Sequence, residues 1–200
     1  MIPKGLVWVA VVTMIVVGGY WGISLGAKDS GDKAGAKAGI PAERVADFVH
    51  AVIESHRAFY TINVVERLQK KGVVVASENW EEANTLPLPA QFLMGSARLA
   101  ANTPTHIGYR LISLWPINKH NGPKSEFERT GLWETSQHPD RPYSELVLNG
   151  RDLYYQAIYA DRAISQACIG CHNAHQDSPR RDFKMNDVMG GVMISIPLQQ

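Results

Sequence analysis

The chain has 200 residues, is 45% hydrophobic and carries a formal net charge of +1. That suits one cored domain with an appendage. No basic run or stripe stands out, so a nucleic-acid partner is not expected, and two cysteines are too few for a disulfide framework.

From Gly5 to Ala27 there is no charged residue. A helix needs about 20 mostly apolar residues to cross a bilayer, and this run is long enough. A cleaved signal peptide has a shorter apolar region and a small-x-small cleavage site; Ser24-Leu25-Gly26 is a poor site of that kind. An uncleaved transmembrane anchor over 1–27 is the expectation, with cleavage as the alternative. Trp8, Tyr20 and Trp21 suit the two interfaces. Charge counting slightly favours the opposite orientation, because Lys4 precedes the run while Lys28, Lys33 and Lys37 follow it. Residues 28–40, KDSGDKAGAKAGI, lack bulky apolar groups apart from the last and read as a flexible linker.

Pro41 to Lys71 turns helical. Val45, Phe48, Val49, Val52, Ile53, Phe59, Tyr60 and Val64 recur at three- and four-residue spacing, with Pro41 at the first turn and Gly72 as the stop. The combined apolar stripe centres near the direction of His56, and His50 lies to one side. This helix is also long enough to pair with a second copy, so a homodimer is an expectation. A shorter helix is expected over Pro89–Ala100. IGYRLISLW (107–115) reads as a strand ended by Pro116, Asn121-Gly122-Pro123 as a turn, and Ser125–Glu134 as a short helix. SELVLNGRDLYYQAIYA (144–160) is a hairpin with a type I′ turn at Asn149-Gly150. GGVMISIPL (190–198) is a last strand. Helices plus an antiparallel sheet of four or five strands make the class α+β.

The chemistry concentrates in CIGCH, residues 168–172. Cys-x-x-Cys-His is the attachment signature of haem c. Cys168 and Cys171 add across the two porphyrin vinyl groups, and His172 lies beneath the iron as proximal ligand. A structural zinc site needs two such pairs. A thioredoxin-like dithiol opens a helix after the first strand of its fold, whereas this pair sits 29 residues from the C-terminus. Coincidence explains neither the adjacent histidine nor the apolar N-terminus. Haem of this type is attached outside the bacterial inner membrane, which puts the domain in the periplasm and overrides the lysine count. Common soluble carriers have the motif near the N-terminus, and four-helix cytochromes have it on the last helix. Neither frame fits a chain that ends in a strand.

The stretch CIGCHNAHQDSPRRDFKMNDVMGGVMISIPL resembles the C-terminal signature of a family of c-type haem proteins with a PAS-like fold. That family includes a cyanobacterial haem protein and haem-bearing sensor regions of chemotaxis receptors and histidine kinases. FYTINVVERL (59–68), LPLPAQFLMGSAR (86–98) and LISLWPINKHNGP (111–123) agree in order, so the resemblance covers most of 41–200. It implies a PAS-like antiparallel sheet with flanking helices, the first of them long, holding one haem c. In the cyanobacterial relative a cysteine is the second axial ligand. This sequence has no spare cysteine, so that feature does not carry over.

The sixth position is open between readings. Met94 stands near the place of the relative's cysteine, and a thioether suits electron transfer; its plain alternative is core filler. His56, at the centre of an apolar stripe, needs a partner, which is iron or a buried hydrogen bond. An empty or water-bound site is the third reading. Tyr60 reads as core, and Met185, Met189 and Met193 as pocket lining. Arg180, Arg181 and Lys184, and more weakly Arg110, are candidates to pair with haem propionates, against a solvated basic loop. His175 reads as a solvent or propionate contact. No nucleophilic triad or carboxylate pair is visible, so no enzyme is expected. The expected function is a membrane-anchored periplasmic monohaem cytochrome transferring electrons to a redox partner. The alternative is a haem-based redox or gas sensor serving a separate signalling partner.

Overall fold

The computed structural model describes residues 39–198; the expected membrane anchor, and the linker up to residue 38, lie outside the described residues. Among the described residues no helix is long and apolar enough to cross a membrane. The first helix, α1 (Ala42–Phe59), runs on through a π-helical stretch, Tyr60–Glu66, into α2 (Arg67–Lys70). Gly72 ends it at φ +65°, and the Val73 N–H returns to the Leu68 carbonyl, which satisfies orphan carbonyls at the helix end. The π stretch was not legible, since its apolar spacing is the same as that of an α-helix. Widened turns of this kind often mark functional sites.

Two short strands, β1 (Ala76–Ser77) and β2 (Leu86–Pro87), pair in parallel around α3 (Trp80–Ala83). Then come α4 (Pro89–Ala101), β3 (Gly108–Ile112), α5 (Glu126–Gln137), β4 (Tyr143–Asn149), β5 (Asp152–Arg162), α6 (Gln166–Ala174) and β6 (Val188–Leu198). Strands β3 to β6 form one antiparallel sheet in the order β3-β6-β5-β4. The α+β expectation holds. The hairpin differs by one residue: Asn149 pairs with Asp152, so Gly150 and Arg151 make the turn. Of those two only Gly150 has positive φ, which is the pattern of a type II′ turn.

Alternation along the strands builds two cores. On one face Ala157, Tyr159, Val192, Ile194 and Ile196 meet Ala46 of α1 and Leu93 of α4. On the other, Ile112, Ile158 and Met193 meet Phe127 and Leu132 of α5. Each fully buried aliphatic side chain contributes about 1.5–3 kcal/mol.

The broad apolar stripe expected on α1 splits in two. Ala42, Val45, Ala46, Val49 and Ile53 face the sheet, while Phe48, Val52 and Phe59 face solvent. His56 sits between the two halves and is exposed, and His50 is the histidine that turns inward. Its ring stacks on Tyr159 with centroids 4.0 Å apart and planes 8° from parallel. The His50 Nε2 is buried without a hydrogen-bond partner. The Tyr159 hydroxyl donates to Asp47 at 2.9 Å.

Burial pushes the His50 pKa down, Arg57 adds to that, and Glu54 and Asp47 oppose it. The folded-state value therefore lies below the unfolded value of about 6.5. Between the two, the unfolded chain binds the extra proton. This contribution to stability is complete above about pH 6.5 and is lost as pH falls towards the folded-state pKa. His50→Phe keeps the stack and should flatten part of the decline seen by urea unfolding between about pH 7.5 and about pH 5.5. His172 is shifted in the same direction, so a residual slope is expected; an unchanged profile would contradict this account.

Candidate functional site

Ser165 opens α6 as its N-cap, its hydroxyl accepting from the Ala167 N–H at 3.0 Å. Cys168 and Cys171 follow one turn apart, so their side chains share a helix face. Both are free thiols, Cys168 half-buried and Cys171 exposed. Burial pushes both thiols up in pKa. That disfavours the thiolate a redox dithiol needs. Among the described residues no group of three or more His, Cys, Asp or Glu side chains is placed to hold a metal ion.

His172 follows on the same helix. Among the described residues its Nδ1 is buried without a hydrogen-bond partner. Burial, and then His175, hold its pKa down, which favours the neutral ligand form. Phe183 stands edge-on to the ring, centroids 5.8 Å apart at 89°. Asn173 fixes Phe183 in turn: its side chain donates to the Phe183 carbonyl at 2.9 Å and accepts from the Phe183 N–H at 3.0 Å.

The floor beneath the motif is a small separate core of Ala163, Phe183 and Met189, bordered by Trp115, Cys168 and Ile169. A register shift supplies Met189. Asp161 pairs with Gly190 and Arg162 with Val188, so Met189 is the extra residue of a bulge. Bulges re-aim side chains in this way next to functional sites. The Ser113 hydroxyl ties the bulge to the end of β3 by donating to the Met189 carbonyl at 2.6 Å. Met189 thus lines the site, whereas Met193 belongs to the α5 side of the sheet and Met185 is exposed.

Three segments converge on α6. From α1, the Arg57 guanidinium bonds Asp161 at the end of β5 and acts electrostatically on Cys168. From the π stretch, Glu66 is hydrogen-bonded with Ser165. From the β1–α3 segment, Glu78 meets His175 Nε2 at 3.3 Å and lies in the field of Cys171. Tyr60 stacks on Phe92 at 4.4 Å and donates to the Pro87 carbonyl at 2.7 Å. His56 precedes Arg57 on α1 and is exposed.

The other expected site residues lie in structural roles. Met94 packs into the α1/α4 core, its sulfur accepting from the Leu111 N–H at 3.4 Å. Arg110 pairs with Glu128 at 3.1 Å and donates to the Gly122 carbonyl. Arg180 lies over Phe183 and Trp115, 4.4 and 5.0 Å from their centroids, and bonds Asp182 and Asp187. Arg181 donates to the carbonyls of Gln176 and Ser178. Both arginines brace the loop that returns to β6.

Sequence reasoning missed Arg57, Asp161, Asn173 and Phe183. Arg57 and Asp161 are 104 residues apart, and nothing local marks either. An arginine on the buried face of α1 was the one available hint. Burial lowers the Arg57 pKa, and Asp161 and Glu54 more than reverse it. The guanidinium stays charged, while burial raises the Asp161 carboxyl against the pull of Arg57. Arg57→Leu leaves that carboxylate without its partner and should cost roughly 3–5 kcal/mol in urea unfolding. Arg57→Leu with Asp161→Leu should recover much of the loss. A single-variant cost under about 1 kcal/mol would show that the pair is not a structural tie.

Two unpaired thiols one turn apart and a neutral, unpartnered imidazole fit the attachment chemistry of haem c. Cys168 and Cys171 are the residues that would hold the group, and His172 the one that would ligate its iron. Residues 36–197 match the family model Tll0287-like. No curated protein matches the chain significantly. Among solved structures it is similar to the crystal structure of the cyanobacterial heme-protein Tll0287, at 16% identity and a TM-score of 0.52, covering 81% of this chain and 99% of that one. At that identity the likeness is one of fold. The chain belongs to the Tll0287-like family.

Proposed function

We propose that this chain is a membrane-anchored periplasmic monohaem c-type cytochrome of PAS-like architecture that passes electrons to a partner protein. Cys168 and Cys171 carry the thioethers and His172 is the proximal ligand. The observation that carries the reading is the state of α6: two free thiols on one face, followed by an imidazole whose buried Nδ1 has no hydrogen-bond partner among the described residues. The haem supplies one-electron chemistry. The chain's residues hold it, orient the histidine through Phe183 and Asn173, and keep the imidazole neutral by burial.

For the sixth position our reading is His56 rather than Met94. The Met94 sulfur is engaged by a backbone N–H inside a packed core. His56 is exposed and next to Arg57, whose charge acts on Cys168. Ligation by His172 and His56 together would leave the iron no free site and would suit electron transfer over gas binding.

The test is optical spectroscopy of the full chain matured with haem in the periplasm, oxidised and reduced, with and without CO. The expected result is a low-spin spectrum indifferent to CO, changed by His56→Ala and unchanged by Met94→Ala. A high-spin haem that takes CO readily, unaffected by either substitution, would contradict electron transfer and make the domain a haem-based sensor.

A further inference from the structure

The solvent side of α1 carries a second apolar stripe that the fold leaves uncovered. Phe48, Val52, Ser55 and Phe59 follow at intervals of four, three and four residues, and Ile62 of the π stretch continues the row. This is the a/d spacing of a helix–helix seam. It is distinct from the sheet-facing set, which centres on Ala46 and Ile53. Both phenylalanine rings stand more than half in water, 54% for Phe48 and 65% for Phe59, and Val52 and Ile62 are exposed beside them. Isolated exposed apolar residues need no explanation, but a contiguous row at helical spacing marks an interaction site.

We propose that this seam is the contact between two copies of the chain, with α1 packed parallel against its twin about a two-fold axis. The flanks argue for a second copy. Charged residues beside a seam select a different partner helix. Along one side run Arg44, already paired with Asp47 and lying 5.2 Å from the Phe48 centroid, then Ala51 and Ala58; along the other run Val49, packed on the sheet side, and His56, so Arg44 is the one flank of fixed charge. Ala51 and Ala58 also let two backbones approach closely.

The area sets the strength. With about 200 Å² per ring, the two exposed fractions leave roughly 240 Å² of ring surface per copy, so about 480 Å² in a pair before Val52 and Ile62 are added. That lies below the roughly 1,200–2,000 Å² of a stable free dimer. The chain outside the described residues supplies what the area lacks. The 38 residues before the described part of the chain include the uncharged run Gly5–Ala27. Anchoring by that run holds two copies side by side in one orientation, at a raised effective concentration. Identical seams then meet in register. The parallel arrangement rests on the anchoring proposed above.

The experiment uses the full chain in the membranes of the expressing bacterium, with Ser55→Cys as the probe and a copper–phenanthroline oxidant. Ser55→Cys is expected to give a reducible band at twice the monomer mass. Wild type and Glu43→Cys, an exposed position off the seam, are expected to give none, and Ser55→Cys with Phe59→Glu to lose it. No dimer band in a variant with normal haem absorbance overturns the proposal. So does an equal band from Glu43→Cys, or an adduct of another mass, which would mean a different protein covers the seam. Carbonate extraction of the same membranes reads the anchoring alone: release into the soluble fraction sinks the anchor, and the dimer band still decides the seam.

Discussion

The contact on which the site depends is the buried pair Arg57–Asp161. Arg57 belongs to the middle of the long first helix and Asp161 to the end of the central strand β5. Four residues after Asp161 comes Ser165, which caps the helix carrying both cysteines and the histidine. The ion pair thus fixes the helix at the point where the chain leaves the sheet to build the motif. A buried ion pair is no guarantee of net stability, because desolvating both charges costs about as much as their attraction returns. Its effect is positional. Breaking one side strands a charge, so alternatives in which α1 slides along the sheet are penalised.

Around that tie the motif is held from several directions at once. The bulge at Met189, the two-bond grip of Asn173 on Phe183 and the Arg180 guanidinium over Phe183 and Trp115 all brace one small core. The consequence for His172 is a ring packed on one side, with burial keeping it neutral. A ligand histidine held this way loses little freedom when it meets a metal, which is the physical content of preorganisation.

Much of the scaffold was legible in the sequence, because it rests on local rules. Periodicity gave α1, α4 and α5, alternation gave β3, β5 and β6, and the spacing of CIGCH carries the proposed chemistry. What escaped was long-range. Nothing near Arg57 announces a carboxylate on β5, and nothing near His172 announces Phe183. The hairpin was read one residue early, because the dipeptide Asn149-Gly150 fits one turn type by propensity while strand register selects another. His56 was read as the centre of one wide stripe. The helix in fact presents two apolar faces, and a wheel average over both points between them. A stripe too wide for one partner was itself the clue that α1 has a second surface to cover.

The most direct test of the central claim is the intact mass of the full chain matured in the periplasm, alongside Cys168→Ala and Cys171→Ala. One covalently bound haem per chain should survive denaturation and acid–organic extraction. The double variant should lose the added mass entirely while the apoprotein mass remains. A denatured wild-type chain with no added haem would contradict the account and return Cys168, Cys171 and His172 to another chemistry.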